Sequence, residues 1–139
     1  MTKSSIEGGS TAIAVSGLQA QKKRIQVLAE NIANANSTAR TAGGEPYRRQ
    51  IPVFKVEPMG GDEGVVMSGV KADPKPFPQA YDPGHPAANA AGYVLLPNVN
   101  SLAESLDLKQ AMKAYEANLN VLDAQDAMEK ATLSILDKK

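Results

Sequence analysis

The sequence predicts a mainly α protein, with long N- and C-terminal helices paired as a coiled coil and a central Pro/Gly-rich insert of short β-hairpins. Apolar residues recur at heptad spacing near both ends, and all nine prolines lie from Pro46 to Pro97. Eight of the eleven glycines fall between Asn36 and Asn100. Helices need a period near 3.6 and reject interior proline, so the punctuated middle cannot continue either helix. The chain therefore divides into residues 1–36, 37–100 and 101–139.

In the first segment Ala14, Leu18, Gln21, Ile25, Leu28, Ile32 and Ala35 follow alternating steps of four and three, which keeps them on one helix face. Gln21 is the polar exception. A second line through Ile13, Gly17, Ala20 and Val27 widens the face, so the helix can touch more than one neighbour. Gly8 and Gly9 weaken continuation upstream, which places the start near Ser10 or Thr11 and leaves the preceding residues loose until a partner orders them. The run Asn31 to Thr38 ends the helix, since asparagine tolerates the left-handed conformation and Ser/Thr compete for the backbone.

Within the insert, Tyr47 to Val56 reads as a strand that Pro52 confines to an edge or bulge. Val65 to Val70 reads as a second strand, with Gly60 to Gly64 as the hairpin loop and Tyr93 to Leu96 as a third extended piece. Asp73-Pro74-Lys75-Pro76-Phe77-Pro78 favours polyproline-like backbone, either a stiff arm or a ligand for a groove. Asp82 and His85 are the one pair that resembles catalytic material. They lack an identifiable nucleophile and the further ligands a metal requires, so a turn formed with Pro83 and Pro86, with Tyr81 packed on the sheet, is the simpler reading.

Ser101 to Glu104 matches a capping box, after which no Gly or Pro interrupts the chain. Leu108, Met112, Tyr115, Leu119 and Leu122 repeat at four-three spacing, and Val121, Ala124, Met128, Ala131 and Ile135 form an adjacent line. Glu104 and Asp107 at the start and Lys138 and Lys139 at the end complement the helix dipole. A helix this long cannot be covered by its own insert, so its partners are the N-terminal helix and other subunits.

Composition removes whole classes of function. Fifteen basic and fifteen acidic residues cancel, which argues against nucleic acid, and Lys22-Lys23-Arg24 and Arg48-Arg49 are more simply a solvated helix face and a strand edge. There is no cysteine, hence no disulfide, thiolate metal site or Cys nucleophile. No apolar run approaches the roughly 20 residues of a membrane span, and residues 1–10 lack the apolar core of a secretory signal. No cofactor, metal or catalytic residue is expected. With no tryptophan, four tyrosines and two phenylalanines, core material is thin and two apolar stripes remain in excess.

Taken together, Ala29 to Thr38, Tyr47-Arg48-Arg49-Gln50, Tyr81 to Pro86, Gly92-Tyr93-Val94, Pro97-Asn98-Val99-Asn100 and Ala114 to Asn118 resemble one family over nearly the whole chain. It is the bacterial flagellar basal-body rod family, and its proximal-rod FlgC type in particular. The asparagine motif is shared widely among rod and hook proteins; the His-Pro, Gly-Tyr-Val and Pro-Asn-Val-Asn series is more specific. The resemblance implies a non-enzymatic structural subunit of the periplasmic rod, exported by the flagellar type III apparatus without a cleaved signal peptide. It would polymerise helically with copies of itself and other rod proteins, meet the rod-base adaptor and MS ring, transmit torque and line the export channel.

The implied assembly interface is Leu18, Ile25, Leu28, Asn31, Ile32, Asn34, Asn36, Leu108, Met112, Tyr115, Asn118, Leu119, Leu122, Met128 and Ile135. Relatives often carry an acidic-methionine pair and an arginine before the Tyr-Glu-Ala-Asn stretch, where this chain has Glu104-Ser105-Leu106 and Lys113. Lysine cannot reproduce a bidentate arginine contact. A soluble coiled-coil adaptor with one defined partner is the alternative function.

Overall fold

A computed structural model describes residues 2–138, with side chains from residue 9 onward. Its elements are α1 (Thr2–Ala33), β1 (Gln50–Met59), β2 (Asp62–Ala72), β3 (Gln79–Tyr81), β4 (Tyr93–Leu95) and α2 (Ser101–Asp137). Two long helices thus enclose, in sequence, two small two-stranded sheets, β1-β2 and β3-β4.

α1 begins well before the predicted Ser10 or Thr11. The glycine penalty of roughly 1 kcal/mol is overridden by packing. A Cβ built on Gly9 would stand 3.5 Å from the Gly60 carbonyl oxygen and 3.6 Å from Asp62 Oδ2, so the helix and the hairpin turn approach closely there. The other end also differs in mechanism, because no described non-glycine residue has positive φ. Instead of a left-handed asparagine, Asn34 closes the helix with its side chain: Nδ2 donates to the Glu30 carbonyl at 2.9 Å, and Oδ1 accepts from Ser37 Oγ at 3.0 Å.

The first hairpin is tighter than predicted. β1 runs to Met59 and β2 starts at Asp62, leaving a two-residue turn of Gly60 and Gly61 with φ of 61° and 97°. Positive φ at both central residues matches the right-handed twist of the strands, and only glycine adopts it without strain. A sheet of two strands has no interior strand, which is why Pro52 and Pro58 are accommodated. In the second sheet β3 and β4 pair antiparallel, with Gln79 opposite Leu95, Ala80 opposite Val94 and Tyr81 opposite Tyr93. The Tyr81 and Tyr93 rings meet edge-on, 5.3 Å between centroids, yet Tyr81 stays exposed.

The cap of α2 is Asn100 rather than a Ser101/Glu104 box. Asn100 Oδ1 accepts from the Leu102 and Ala103 amides at 3.1 and 3.2 Å, and its carbonyl accepts from the Glu104 amide. That frees the Glu104 side chain for another task. Lys138 follows the last turn of α2, and Lys139 lies outside the described residues.

The chain separates into two compact units. One consists of Met1–Arg24, Phe54–Ser68 and Gln110–Lys139, and the other of Ile25–Val53 and Gly69–Lys109. They are called here the seam unit and the hub unit, after the contacts that hold each. Strongly buried side chains in the seam unit are small: Ala14, Ser16, Ala20 and Ala111. In the hub unit they include Val27, Leu28, Ala87 and Val94, and three polar residues with them, Asn31, Asp73 and Glu104.

Candidate assembly interface

Asn31 sits in the last turns of α1 within the hub unit and is 0% exposed. All its amide capacity is used. Oδ1 accepts from the Tyr47 hydroxyl at 2.8 Å and from the Gln50 amide at 2.9 Å. Nδ2 donates to the Gln50 carbonyl at 2.8 Å and to Glu104 Oε2 at 3.2 Å. The side chain thus pairs with both backbone groups of Gln50, as a neighbouring strand would, and joins α1 to the start of β1 and the first turn of α2.

Glu104, 1% exposed, is ion-paired through Oε1 with Arg49 Nε, while Arg49 Nη1 contacts Asp73 Oδ2 at 3.1 Å. Asp73, 3% exposed, also accepts the Lys75 amide on Oδ1 at 3.0 Å, and its own amide donates to the Arg49 carbonyl at 2.9 Å. Two carboxylates share one guanidinium, an arrangement that the positive N-terminal end of α2 helps to balance at Glu104. The Asp73 carboxyl is held below the usual range, first by the Lys75 amide and then by Arg49, against the opposing effect of burial. The Tyr47 phenol is pushed up, chiefly by burial and further by the nearby Glu30 and Glu104.

Arg48 and Asn98 fasten the proline-rich segment. Arg48 Nη1 donates to the Asp73 and Lys75 carbonyls at 2.8 and 3.2 Å, and its guanidinium lies 4.1 Å from the centre of the Phe77 ring. Asn98 Oδ1 accepts the Arg49 amide at 2.7 Å while Nδ2 donates to the same two carbonyls. The segment is therefore a pinned strap rather than a free arm, and Arg48-Arg49 is an internal clamp rather than a solvated strand edge. His85 serves its turn, with Nδ1 accepting from the Ala87 amide at 3.0 Å and its own amide donating to the Asp82 carbonyl. Among the described residues no group of His, Asp or Glu has the arrangement of a metal site.

In the seam unit α1 and α2 meet through small and amide-bearing residues. A Cβ on Gly17 would lie 3.0 Å from Asn118 Nδ2, so glycine is what permits this approach. Seven residues earlier on α1 and seven later on α2, Gln125 donates to Ser10 Oγ at 3.0 Å. The opposite direction of the two steps makes the pairing antiparallel. Gly64 of β2 is buried beside Ser16, where a Cβ would stand 2.9 Å from the hydroxyl.

The fifteen sequence-derived interface residues divide by surroundings. Leu28 and Asn31 are buried inside the hub unit and present no surface, because each is already packed or hydrogen-bonded within the chain. Leu18, Ile25, Ile32, Asn34, Leu108, Tyr115, Asn118 and Leu122 are half-buried; Asn36, Met112, Leu119, Met128 and Ile135 are exposed. Met128 and Ile135 are 70% and 69% accessible, on a stretch of α2 that carries no buried residue after Ala111. Sequence reasoning missed Tyr47, Arg49, Gln50, Asp73, Asn98 and Glu104 as one network. Tyr47, Arg49, Gln50 and Asn98 lie in the distinctive motifs, which was the available signal, but that does not say which of them touch, and Asp73 and Glu104 lie outside those motifs.

Residues 12–40 match the family described as flagella basal body rod protein, and residues 90–135 match the C-terminal region of the flagellar basal body rod FlgEFG proteins. The flagellar basal-body rod protein FlgC of Agrobacterium fabrum is 40% identical over 126 residues, covering 89% of this chain and 91% of its own. This chain belongs to the FlgC family of flagellar basal-body rod proteins. FlgC of Borreliella burgdorferi is 38% identical, with 89% and 93% of the two chains covered, and that of Salmonella typhimurium 39%, with 88% and 92%. The FlgC match covers 89% of the chain, whereas the two family regions fall on the helical ends and β4. FlgC membership is that of a structural rod protein and not of an enzyme family.

Proposed function

We propose that this chain is a structural subunit of the proximal rod of the flagellar basal body, whose helices pair as an antiparallel coiled coil and join copies of itself and other rod proteins in a helical array. Family membership supports the rod, and one feature of α2 supports polymerisation over the adaptor reading. Met112, Leu119 and Leu133 form one exposed apolar stripe, and Val121, Met128 and Ile135 form another. Val121 follows Met112 by nine residues, as Met128 follows Leu119. At about 100° per residue that is half a turn, so the stripes lie on opposite sides of the helix. The residues that meet α1, Asn118 and Gln125, lie between them on one flank.

An adaptor with one partner needs one free stripe. Two stripes on opposite sides suit contacts with two different neighbours, and heterologous contacts of this kind continue into a helical filament instead of closing. In this reading the subunit transmits torque, helps line the export channel, lies in the periplasmic rod, and reaches it through the type III apparatus without a cleaved signal. Its end contacts are with the rod-base adaptor and MS ring. No step of this role calls for catalysis, a cofactor or nucleic acid.

The test is complementation of a deletion strain, scored by motility and by the length of isolated basal bodies. The paired substitutions Met112→Lys with Leu119→Lys, and Met128→Lys with Ile135→Lys, are each expected to abolish motility while leaving the purified chain folded. Retained motility in either, or a fixed one-to-one complex as the sole assembly, would overturn the rod reading.

A further inference from the structure

The geometry points to the buried network of Asn31, Arg49, Asp73 and Glu104 as a register lock, a conformational device that permits only one alignment of α1 against α2 in the hub unit. Apolar stripes alone do not set that alignment. Ile25, Leu28 and Ile32 on α1 are similar in size and spacing, so sliding α2 by a turn or a heptad would exchange one apolar contact for another. The network breaks this degeneracy. In the observed alignment Asn31 Nδ2 reaches Glu104 Oε2 at 3.2 Å and the same carboxylate holds Arg49 through its other oxygen. Seven residues along α2 from Glu104 stands Ala111 and four along stands Leu108, neither of which offers the Asn31 amide an acceptor, while Asp107, three along, lies about 60° around the helix from the Glu104 line.

A slipped alignment would leave the amide unsatisfied and place a buried carboxylate away from the Arg49 guanidinium. Both outcomes are costly in a site that excludes water. The strands contribute to the same lock, because Asn31 grips both backbone groups of Gln50, and Arg49 is braced by Asp73 just beyond β2. Buried charge of this kind is weak as a source of net stability, since desolvation offsets most of the attraction. Its effect is to make wrong alignments worse than the right one. This role is independent of whether the chain polymerises as proposed above.

Backbone amide NMR of two variants of the full chain, at a temperature where wild type is folded, separates register from stability. The first removes every charge of the network: Asn31→Leu, Arg49→Met, Asp73→Asn and Glu104→Leu together. It is expected to keep wild-type helical content while residues 25–33 and 101–109 each give two or more slowly exchanging peaks. The second, Glu104→Gln, keeps an amide oxygen for Asn31 and is expected to give one peak per residue. A single native-like set in the first variant would overturn the lock. So would loss of its helical signal, which would make the network a source of stability, or peak multiplicity in Glu104→Gln.

Discussion

Two amides on the same helix have opposite fates. Asn31, in the hub unit, has four hydrogen bonds and no solvent exposure; Gln21, in the seam unit, has a buried Oε1 with no partner among the described residues. The contrast extends to their surroundings. The hub unit is held by directional contacts among charged and amide groups, which have one good geometry. The seam unit is held by alanine, serine and glycine packing with a few hydroxyl and amide bonds, and leaves Met128, Leu133, Ile135 and Leu136 in solvent. Directional contacts make a region self-sufficient, whereas a small-residue seam brings helices close while leaving long apolar flanks for other chains.

The largest expected effect tests the hub. Arg49→Met strands two buried carboxylates and should lower stability by about 3 kcal/mol, read as a lower urea midpoint in circular dichroism. Hydrogen exchange at the Gln50 amide should accelerate in parallel, because Glu104, which holds its acceptor Asn31, is no longer fixed by Arg49. A change under about 0.5 kcal/mol would place the arginine among surface ion pairs and end the contrast between the units.

Acid sharpens the same comparison with a milder effect. The Asp73 carboxyl is depressed in the folded state, so its contribution is present above the unfolded value near 3.9 and is lost as pH falls through the lower folded value. Hydrogen exchange at about pH 3 should therefore show the hub unit loosening, and Asp73→Asn should flatten this dependence. Equal acid sensitivity in Asp73→Asn would assign the effect to another carboxylate.

The smallest effect has the opposite sign. Gln21→Leu removes an unsatisfied buried oxygen and should raise the thermal midpoint slightly, by the equivalent of about 1 kcal/mol, without altering the hub unit. A lower midpoint would show that Gln21 has a stabilising contact in solution and that the seam is not the less specified region.

Much of the fold was legible because its signals are local. Heptad spacing marks both helices, glycine marks the hairpin turn, and proline confines the irregular chain to the middle. Errors arose where a local rule met a distant partner. Ser101 and Glu104 satisfy the capping-box pattern, but Asn100 supplies the cap and Glu104 turns toward Arg49, 55 residues away. Gly8 and Gly9 argue against a helix, yet Gly9 lies against the hairpin turn at Gly60. Asn31 reads as part of a helix-ending surface motif, while its partners come from β1 and α2.

The sequence by itself determined the element types, the surplus of apolar surface and, through its motifs, the family. Tertiary structure alone decided which polar residues are sealed inside the hub unit and which apolar ones are left outside in the seam unit. The reason is physical: periodicity depends on neighbours three and four residues apart, but burial of an amide or a carboxylate depends on whether the chain later returns with a partner.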